Sequence, residues 1–466
     1  MQYSVVRYSE VNENSDFRID AEYFKKSCLE IHAKIKNKGG IHFFKKIKKI
    51  SSGKNLEQNE GGRYKFIRTQ NVRPILIDDS GMSQVNEYGN LKPTKEGELI
   101  FVRVGEGVGN SSIITKNYSG NAISDNVLRL EIKDINPYFC SVFFNSEIGQ
   151  DYFRRVFKGT ARSLISQENF KNVLIPVFSD DFQLQFQKII NQSQELQIDS
   201  KSLYSEAERL LLEELGLKDW KPKHQLSYIK NYSDTQKAKR FDAEYFQPQY
   251  EKVEDSLKNY SLGHSFVKDE FRYVKDVFKT NSEKIYQYVE IGSVNVSNSE
   301  ITPENILGSE LPANAKRKLS KNQVIISKVR TYRGAISIVD NEDYVGSGAF
   351  TVLEEKTDSK LNKETLLVLL KSKPWLAWSL KPNTGTSYPV IIDSDILNLP
   401  LPLIPKNIQD QIKDSVEKSS LMRGKSKSLL SVAKKAVEMA IETSEEQASS
   451  WIDEELEKLG VELKKE

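Results

Sequence analysis

Arg-Ile-Asp-Ala-Glu-Tyr-Phe at Arg18–Phe24 returns as Arg-Phe-Asp-Ala-Glu-Tyr-Phe at Arg240–Phe246, 222 residues further along a chain of 466. The agreement continues at a nearly constant offset. Arg103-Val104 and Gly109 fall on Lys328-Val329 and Gly334, Lys158-Gly159-Thr160 on Thr384-Gly385-Thr386, and Leu174-Ile175-Pro176 on Pro400-Leu401-Pro402. Short loop insertions produce drift of this kind. Solenoid repeats run to a few tens of residues, so a unit this long is a duplicated domain. A duplicated domain suggests a target that is itself in two parts.

Bulk composition narrows the classes. Hydrophobic residues make up 38% and charged residues 29% of the chain, and the mean hydropathy is -0.53. The chain is long enough for two or three domains with real cores. No apolar run approaches the roughly 20 residues that cross a bilayer, and MQYSVVRYSE has no basic-then-apolar signal, so a cytoplasmic protein without membrane contact is expected. Cys28 and Cys140 supply neither a disulfide framework nor a zinc set, and there are only four histidines. The net charge of +3 permits nucleic-acid binding without requiring it. Basic clusters stand at His42–Lys49, Lys316–Lys318 and Lys328–Arg333, and basic residues interleaved with Tyr or amides suit phosphate and base-edge contacts.

Each copy reads as a mixed α/β block followed by a long helix. Strands are expected over Tyr64–Ile67, Glu98–Val104, Ser111–Thr115 and Asn126–Ile132, and again over Tyr286–Ile291, Gln323–Val329, Ala335–Val339 and Ala349–Leu353. Helices are expected to start at Asn136-Pro137 and near Asn362. Ile189, Leu196, Leu203 and Leu210 recur every seven residues, with Ser193, Ser200, Ala207 and Glu214 on the alternate seam. Ser415, Met422, Leu429 and Ala436 repeat the pattern, beside Ile412, Ser419, Ser426, Ala433 and Ala440. Such heptads predict two antiparallel coiled-coil helices that form no closed core beyond each other, each a spacer of roughly 50 Å at ~1.5 Å per residue. The expected division is a globular block over residues 1–179, a helix over 180–217, a second block over 218–404, a second helix over 405–443 and a short helical tail over 444–466.

Three motifs that look catalytic have plainer readings. Asn136-Pro137-Tyr138-Phe139 lacks the second proline of the adenine methyltransferase motif, and no Phe-x-Gly-x-Gly loop precedes it, so a helix cap is expected. Gly105-Glu-Gly107-Val-Gly109-Asn lacks both the Gly-x-Gly-x-x-Gly spacing and a Walker lysine, and reads as a mobile loop between strands. Glu131-Ile-Lys133 and Glu354-Glu-Lys356 match nuclease Glu-x-Lys pairs, but Gly348 replaces Asp125 in the second copy, so strand-end charges are expected.

The chain resembles, over essentially its whole length, the DNA-specificity subunit of type I restriction-modification systems. The resemblance rests on the Asp-Ala-Glu-Tyr-Phe boxes, the segment from Gly159-Thr160 through Ile165-Ser166-Gln167 to Ile175-Pro176, its counterpart from Gly385-Thr386 to Pro402, and Glu206–Leu217 with Trp220. It implies two target-recognition domains on a helical scaffold that docks two methyltransferase subunits and, through the complex, restriction subunits, with double-stranded DNA as ligand. It also implies no catalytic residue, metal or cofactor in this chain. S-adenosylmethionine would sit on the methyltransferase subunit, and ATP and Mg on the restriction subunit.

Sequence is read through base edges mainly by Arg, Lys, Asn and Gln, while phosphate contacts set register. Candidates in the first copy are Arg63, Lys65, Arg68, Gln70, Asn71, Arg73 and Arg103, with Lys158, Thr160, Arg162, Ser163 and Gln167 around the Gly-Thr segment. In the second they are Lys316, Arg317, Lys318, Lys328, Arg330, Tyr332 and Arg333, with Asn383, Thr384, Thr386, Ser387 and Tyr388. GEGVGN in one copy faces RTYRGA in the other, so the two half-sites should differ. The rival readings are an autonomous nuclease or methyltransferase, and a coiled-coil adaptor that binds no DNA.

Overall fold

The computed structural model describes residues 4–12, 18–105, 107–157, 164–384 and 388–464. The chain divides into two compact units, one of Met1–Ile198 with Met422–Glu466, the other of Asp199–Leu421.

The duplication is a duplication of sheet topology. In the first unit Ile47–Ser52, Val127–Ile132, Leu99–Val102 and Ser111–Ile113 lie side by side, antiparallel throughout. The second unit repeats that order with Phe271–Tyr273, Phe350–Glu355, Val324–Ser327 and Ile336–Ile338. A second sheet in each unit carries one parallel pairing, Tyr64–Ile67 with Ala122–Ile123 and Ile285–Val289 with Tyr344–Ser347. The eight strands expected from β-branched runs are present, with ends shifted by up to two residues. Ile47–Ser52 was hidden in the His42–Lys49 basic cluster. The cluster is part of the scaffold: Lys48 pairs with Glu131 across the two strands at 3.6 Å.

The two cap motifs form as expected. Asn136 Oδ1 accepts the Tyr138 amide at 2.8 Å ahead of the helix Pro137–Asn145, and Asn362 Oδ1 accepts the Thr365 amide at 2.8 Å ahead of Lys363–Lys371. Both helices are almost wholly buried against their sheets. In the first unit this packing is aromatic, with Phe101, Phe143, Phe144, Phe153 and Phe170 all buried. At Gly149, in the next helix, an added Cβ would stand 1.7 Å from the Phe143 carbonyl oxygen, so only glycine lets the two helices close up.

The long helices, Asp180–Glu214 and Lys406–Glu442, are antiparallel. Within the first unit Ser193 Oγ lies 2.8 Å from Ser426 Oγ, and within the second Ser200 Oγ lies 3.0 Å from Ser419 Oγ. Within the first unit the two segments run antiparallel, since Ser179 meets Glu445 and, further along, Ser193 meets Ser426. Ser193, Ser200 and Ala207 of the small-residue seam are buried, whereas Leu196, Leu203 and Leu210 of the other are only half-buried. Small residues permit close approach, and their hydroxyls bond to the facing backbone, as Ser200 and Ser419 do reciprocally at 2.7 Å. The expectation that the helices form no core beyond each other is corrected. Phe182, Phe186, Ile189 and Ile190, with Leu429 to Ile441, join the first unit's core, and Leu211, Leu215, Ile412 and Val416 join the second's. The C-terminal helix Glu445–Leu459 also packs into the first unit through Ile452 and Leu456. Among the described residues no helix is long and apolar enough to cross a membrane.

Candidate nucleic-acid interface

The arginine and aspartate of the repeated box make the same kinds of contact in both units. Arg18 forks onto Asp20 with Nε and Nη2 at 2.7 and 2.9 Å, and its Nη1 donates to the carbonyls of Arg155 at 2.9 Å and Phe157 at 3.2 Å. Arg240 forks onto Asp242 at 2.7 and 3.0 Å, and donates to the carbonyls of Pro382 at 3.1 Å and Asn383 at 3.0 Å. Each carboxylate also accepts the amide of the box tyrosine, Tyr23 at 3.1 Å or Tyr245 at 3.0 Å. The guanidinium stands over that tyrosine's ring at 5.1 Å for Arg18 and 4.6 Å for Arg240. The Arg18 hydrogen bond holds the Asp20 carboxyl below the usual carboxylate range. At Asp242 burial opposes ionisation, but the Arg240 and Tyr245 bonds outweigh it and the net direction is again down. The four captured carbonyls all lie on the limb that leads into a Gly-Thr segment.

The limb that leaves the Gly-Thr segment is bound to the basic strand end. Val104 bridges Leu164 and the Ile165 amide donates to the Arg103 carbonyl at 3.1 Å. In the second unit Val329 bridges Val390, the Ile391 amide donates to the Lys328 carbonyl at 3.0 Å, and the Arg330 amide to that of Pro389 at 2.7 Å. Each unit thus brings together a strand end with a basic residue, Arg103 or Lys328, and the two flanks of its Gly-Thr segment. Lys158, Thr160, Arg162, Ser163, Thr386 and Ser387 lie outside the described residues.

The turns themselves differ. Gly105, Gly107 and Gly109 all take positive φ, and a Cβ on Gly109 would meet the Phe157 ring at 2.7 Å. In the second unit the strand ends at Ser327, Arg330 is left-handed at φ +50, and Thr331–Arg333 form a 3-10 turn closed by Gly334. Lys328 and Arg330 therefore share no strand face, since the strand ends before both. Lys328 Nζ is 3.3 Å from Asp393, whose other oxygen accepts Thr351 Oγ1 at 2.5 Å, and Arg330 lies over the Tyr388 ring at 4.7 Å. Burial penalises the Asp393 charge, but hydrogen bonds from Thr351 and Tyr273 and the nearby Lys328 keep its pKa low. Tyr332 is half-buried, and Arg333 is exposed on the same turn. Asn383 is half-buried, while Thr384, Tyr388 and Gln167 are exposed beside the Gly-Thr flanks.

Of the remaining candidates, Lys65, Lys316, Arg317 and Lys318 lie on strands of the second sheets, and Arg63, Arg68, Gln70, Asn71 and Arg73 lie on the segments flanking Tyr64–Ile67. Lys316 and Lys318 are exposed on the strand Ala315–Leu319, with Arg317 half-buried between them and Nη2 3.4 Å from the Tyr273 hydroxyl. Arg63, Gln70 and Arg73 are exposed, Arg68 is half-buried, and Lys65 is engaged with Asp79 at 3.6 Å. Asn71 is corrected: it is 1% exposed, accepts the Arg68 amide and donates to the Asp78 carbonyl, so its amide holds a turn. The Glu-x-Lys pairs are cross-strand charges, with Glu354 2.5 Å from Arg272. Among the described residues no cluster of His, Cys, Asp or Glu could hold a metal ion. Sequence reading missed Arg18, Arg240 and Asp393; the repeat was the available signal for the first two.

Residues 265–421 match the model of the type I restriction modification DNA specificity domain. The second unit carries that domain. The resemblance drawn from the repeated boxes and Gly-Thr segments is thereby borne out. The type I restriction enzyme HindI specificity subunit of Haemophilus influenzae is 26% identical over 163 residues, which are 34% of this chain and 34% of that protein. The matched stretch thus spans about a third of the curated relative. Among solved structures, the type I restriction-modification S subunit from M. genitalium aligns at a TM-score of 0.39 and 13% identity over 90% of this chain and 95% of that one. The HsdS subunit from Thermoanaerobacter tengcongensis aligns at 0.25 and 13% identity over 89% and 95%. These two likenesses assign no residue a role in this specificity-domain chain.

Proposed function

We propose that this chain is the cytoplasmic, non-catalytic DNA-recognition subunit of a type I restriction-modification complex. Each unit reads one half of a bipartite, asymmetric duplex target, and the chain docks two methyltransferase subunits and the restriction subunits. The carrying observation is the duplicated arrangement in which the strand end that carries Arg103 or Lys328 is bonded to the flank of a Gly-Thr segment. It supports base reading because it fixes by main-chain bonds a strand end with a basic side chain, and differing turns support differing half-sites. S-adenosylmethionine belongs to the methyltransferase subunit, and ATP and Mg to the restriction subunit.

Arg333 and Lys318 separate reading from positioning. A guanidinium bonded twice to guanine discriminates by about 1 to 3 kcal/mol, whereas a phosphate contact weakens all sequences alike and adds about one to the salt slope. Arg333→Ala is expected to relax one position of one half-site, and Lys318→Ala to flatten the salt dependence without altering the preferred bases. Binding of the two variants to randomised duplexes at several salt concentrations checks both. Unchanged affinity, slope and motif would remove this cluster from the interface. Calorimetric titration of the isolated chain with S-adenosylmethionine is expected to give no heat, and stoichiometric binding would contradict the assignment of that cofactor to a partner.

A further inference from the structure

We propose that Arg18 and Arg240 are positioning residues for DNA recognition, each fixing the limb that enters its unit's Gly-Thr segment. This rests on the DNA-reading role above. The box is the strongest repeat in the chain, and core packing accounts for Tyr23 and Phe24, which are buried, but not for Ile19–Glu22 and Phe241–Glu244, which are exposed. The one position at which the two copies differ, Ile19 against Phe241, is 81% and 74% exposed. What the copies share is the guanidinium held by a carboxylate, stacked on a tyrosine and donating to two carbonyls of the incoming limb. Those carbonyls belong to residues a few positions ahead of Gly159 and Gly385. The outgoing limb is tied to the basic strand end, and in the second unit also to the incoming limb, where Thr384 bridges Val390. With both limbs fixed, the exposed side chains beside the Gly-Thr segment meet DNA in one geometry. Without the box the incoming limb keeps other ties, such as the Asn169 amide on the Val156 carbonyl and Thr384 on Val390, but loses two carbonyl anchors. Lysine cannot replace the arginine, because an ammonium has no planar fork to bridge a carboxylate and two carbonyls.

The test uses full-length Arg18→Ala, Arg18→Lys and Arg240→Ala proteins, each checked by thermal melting, with randomised duplex DNA as the probe. In Arg18→Ala, amides of residues 152–157 are expected to exchange hydrogen faster. Preference for the bases of one half-site should fall on the order of tenfold, the loss of one or two charge-assisted hydrogen bonds. The other half-site and the salt slope should stay as in wild type, and Arg18→Lys should not rescue. Arg240→Ala should do the reverse, with faster exchange over residues 379–384. Faster exchange with unaltered base preferences would overturn the proposal and make the box a brace only. So would weaker binding to every sequence with a shallower salt slope, which would mean that the arginine itself touches phosphate. If the alanine variants do not fold, Asp20→Asn and Asp242→Asn, which loosen the same arginines, should show the same half-site pattern at smaller size, and unchanged preferences there would overturn it. A wild-type chain with no sequence preference would instead overturn the DNA reading itself.

Discussion

Removing one heptad from each long helix, Leu196–Ser202 together with Ser419–Lys425, is expected to shorten the unread centre of the DNA target by about three base pairs. The deletion is matched to the seam. Ser200 and Ser419, which face each other, leave together, and the Ser193–Ser426 pair is untouched. Ala207 and Ile412, both buried and one heptad further along their helices, follow in the same register. Seven residues at ~1.5 Å each remove about 10 Å of helix, and the lost rotation is only about 20°. At about 3.4 Å per base pair that length is three steps of duplex. Deleting the heptad from one helix alone should instead misalign the serine pairs and cost stability. Comparing the motifs selected by the wild-type and doubly shortened chains checks this, and an unchanged spacer would refute the helices as a ruler.

Arg129→Met is expected to destabilise the first unit by about 3 to 5 kcal/mol, the cost of breaking a buried ion pair from one side. Arg129 and Glu98 are 9% and 4% exposed and lie 2.5 Å apart, and Arg129 also donates to the carbonyls of Lys92 at 2.7 Å and Pro93 at 2.8 Å. Glu98 accepts the Lys95 amide at 2.7 Å with its other oxygen. The second unit shows how the site works without charge. Its register puts Val352 opposite Ile325 where Arg129 stands opposite Ile100, and Gln323 accepts the Ser320 amide at 2.9 Å where Glu98 accepts that of Lys95. Arg129→Val with Glu98→Gln should therefore recover most of the loss. Differential scanning calorimetry should show the first unit's melting temperature falling on the order of 10 °C in the single variant and returning in the double one. Equal losses in both would mean that the buried pair contributes through packing alone.

Much of this architecture is legible in the sequence because its signals are local. Strands such as Tyr64–Ile67 and Phe350–Glu355 carry β-branched or aromatic runs between Gly, Asn and Asp clusters, and Asn136-Pro137 announces its own helix. Reading failed where the deciding partner was distant. Ile47–Ser52 looks like a basic surface run until Val127–Ile132 pairs with it. Heptads locate the long helices, but they do not say that Ser193 and Ser200 rather than Leu196 and Leu203 occupy the buried seam, because that depends on how closely the second helix approaches. The site was legible to the same degree. Basic residues at strand ends were found by composition, yet Lys328 proved to be tied to Asp393 and Asn71 to a turn. The Arg18 box was visible as a repeat, while its work, gripping carbonyls more than a hundred positions away, has no local signature.

The central claim is that the two units read two different half-sites separated by DNA that neither touches. Selecting binders from a fully randomised duplex library with the full-length chain, and sequencing them, measures this directly. The account predicts one asymmetric motif in two specified parts with a fixed unspecified gap, and with one part altered by substitutions in each unit. A continuous motif, a palindromic one, or retention of all sequences alike would contradict it.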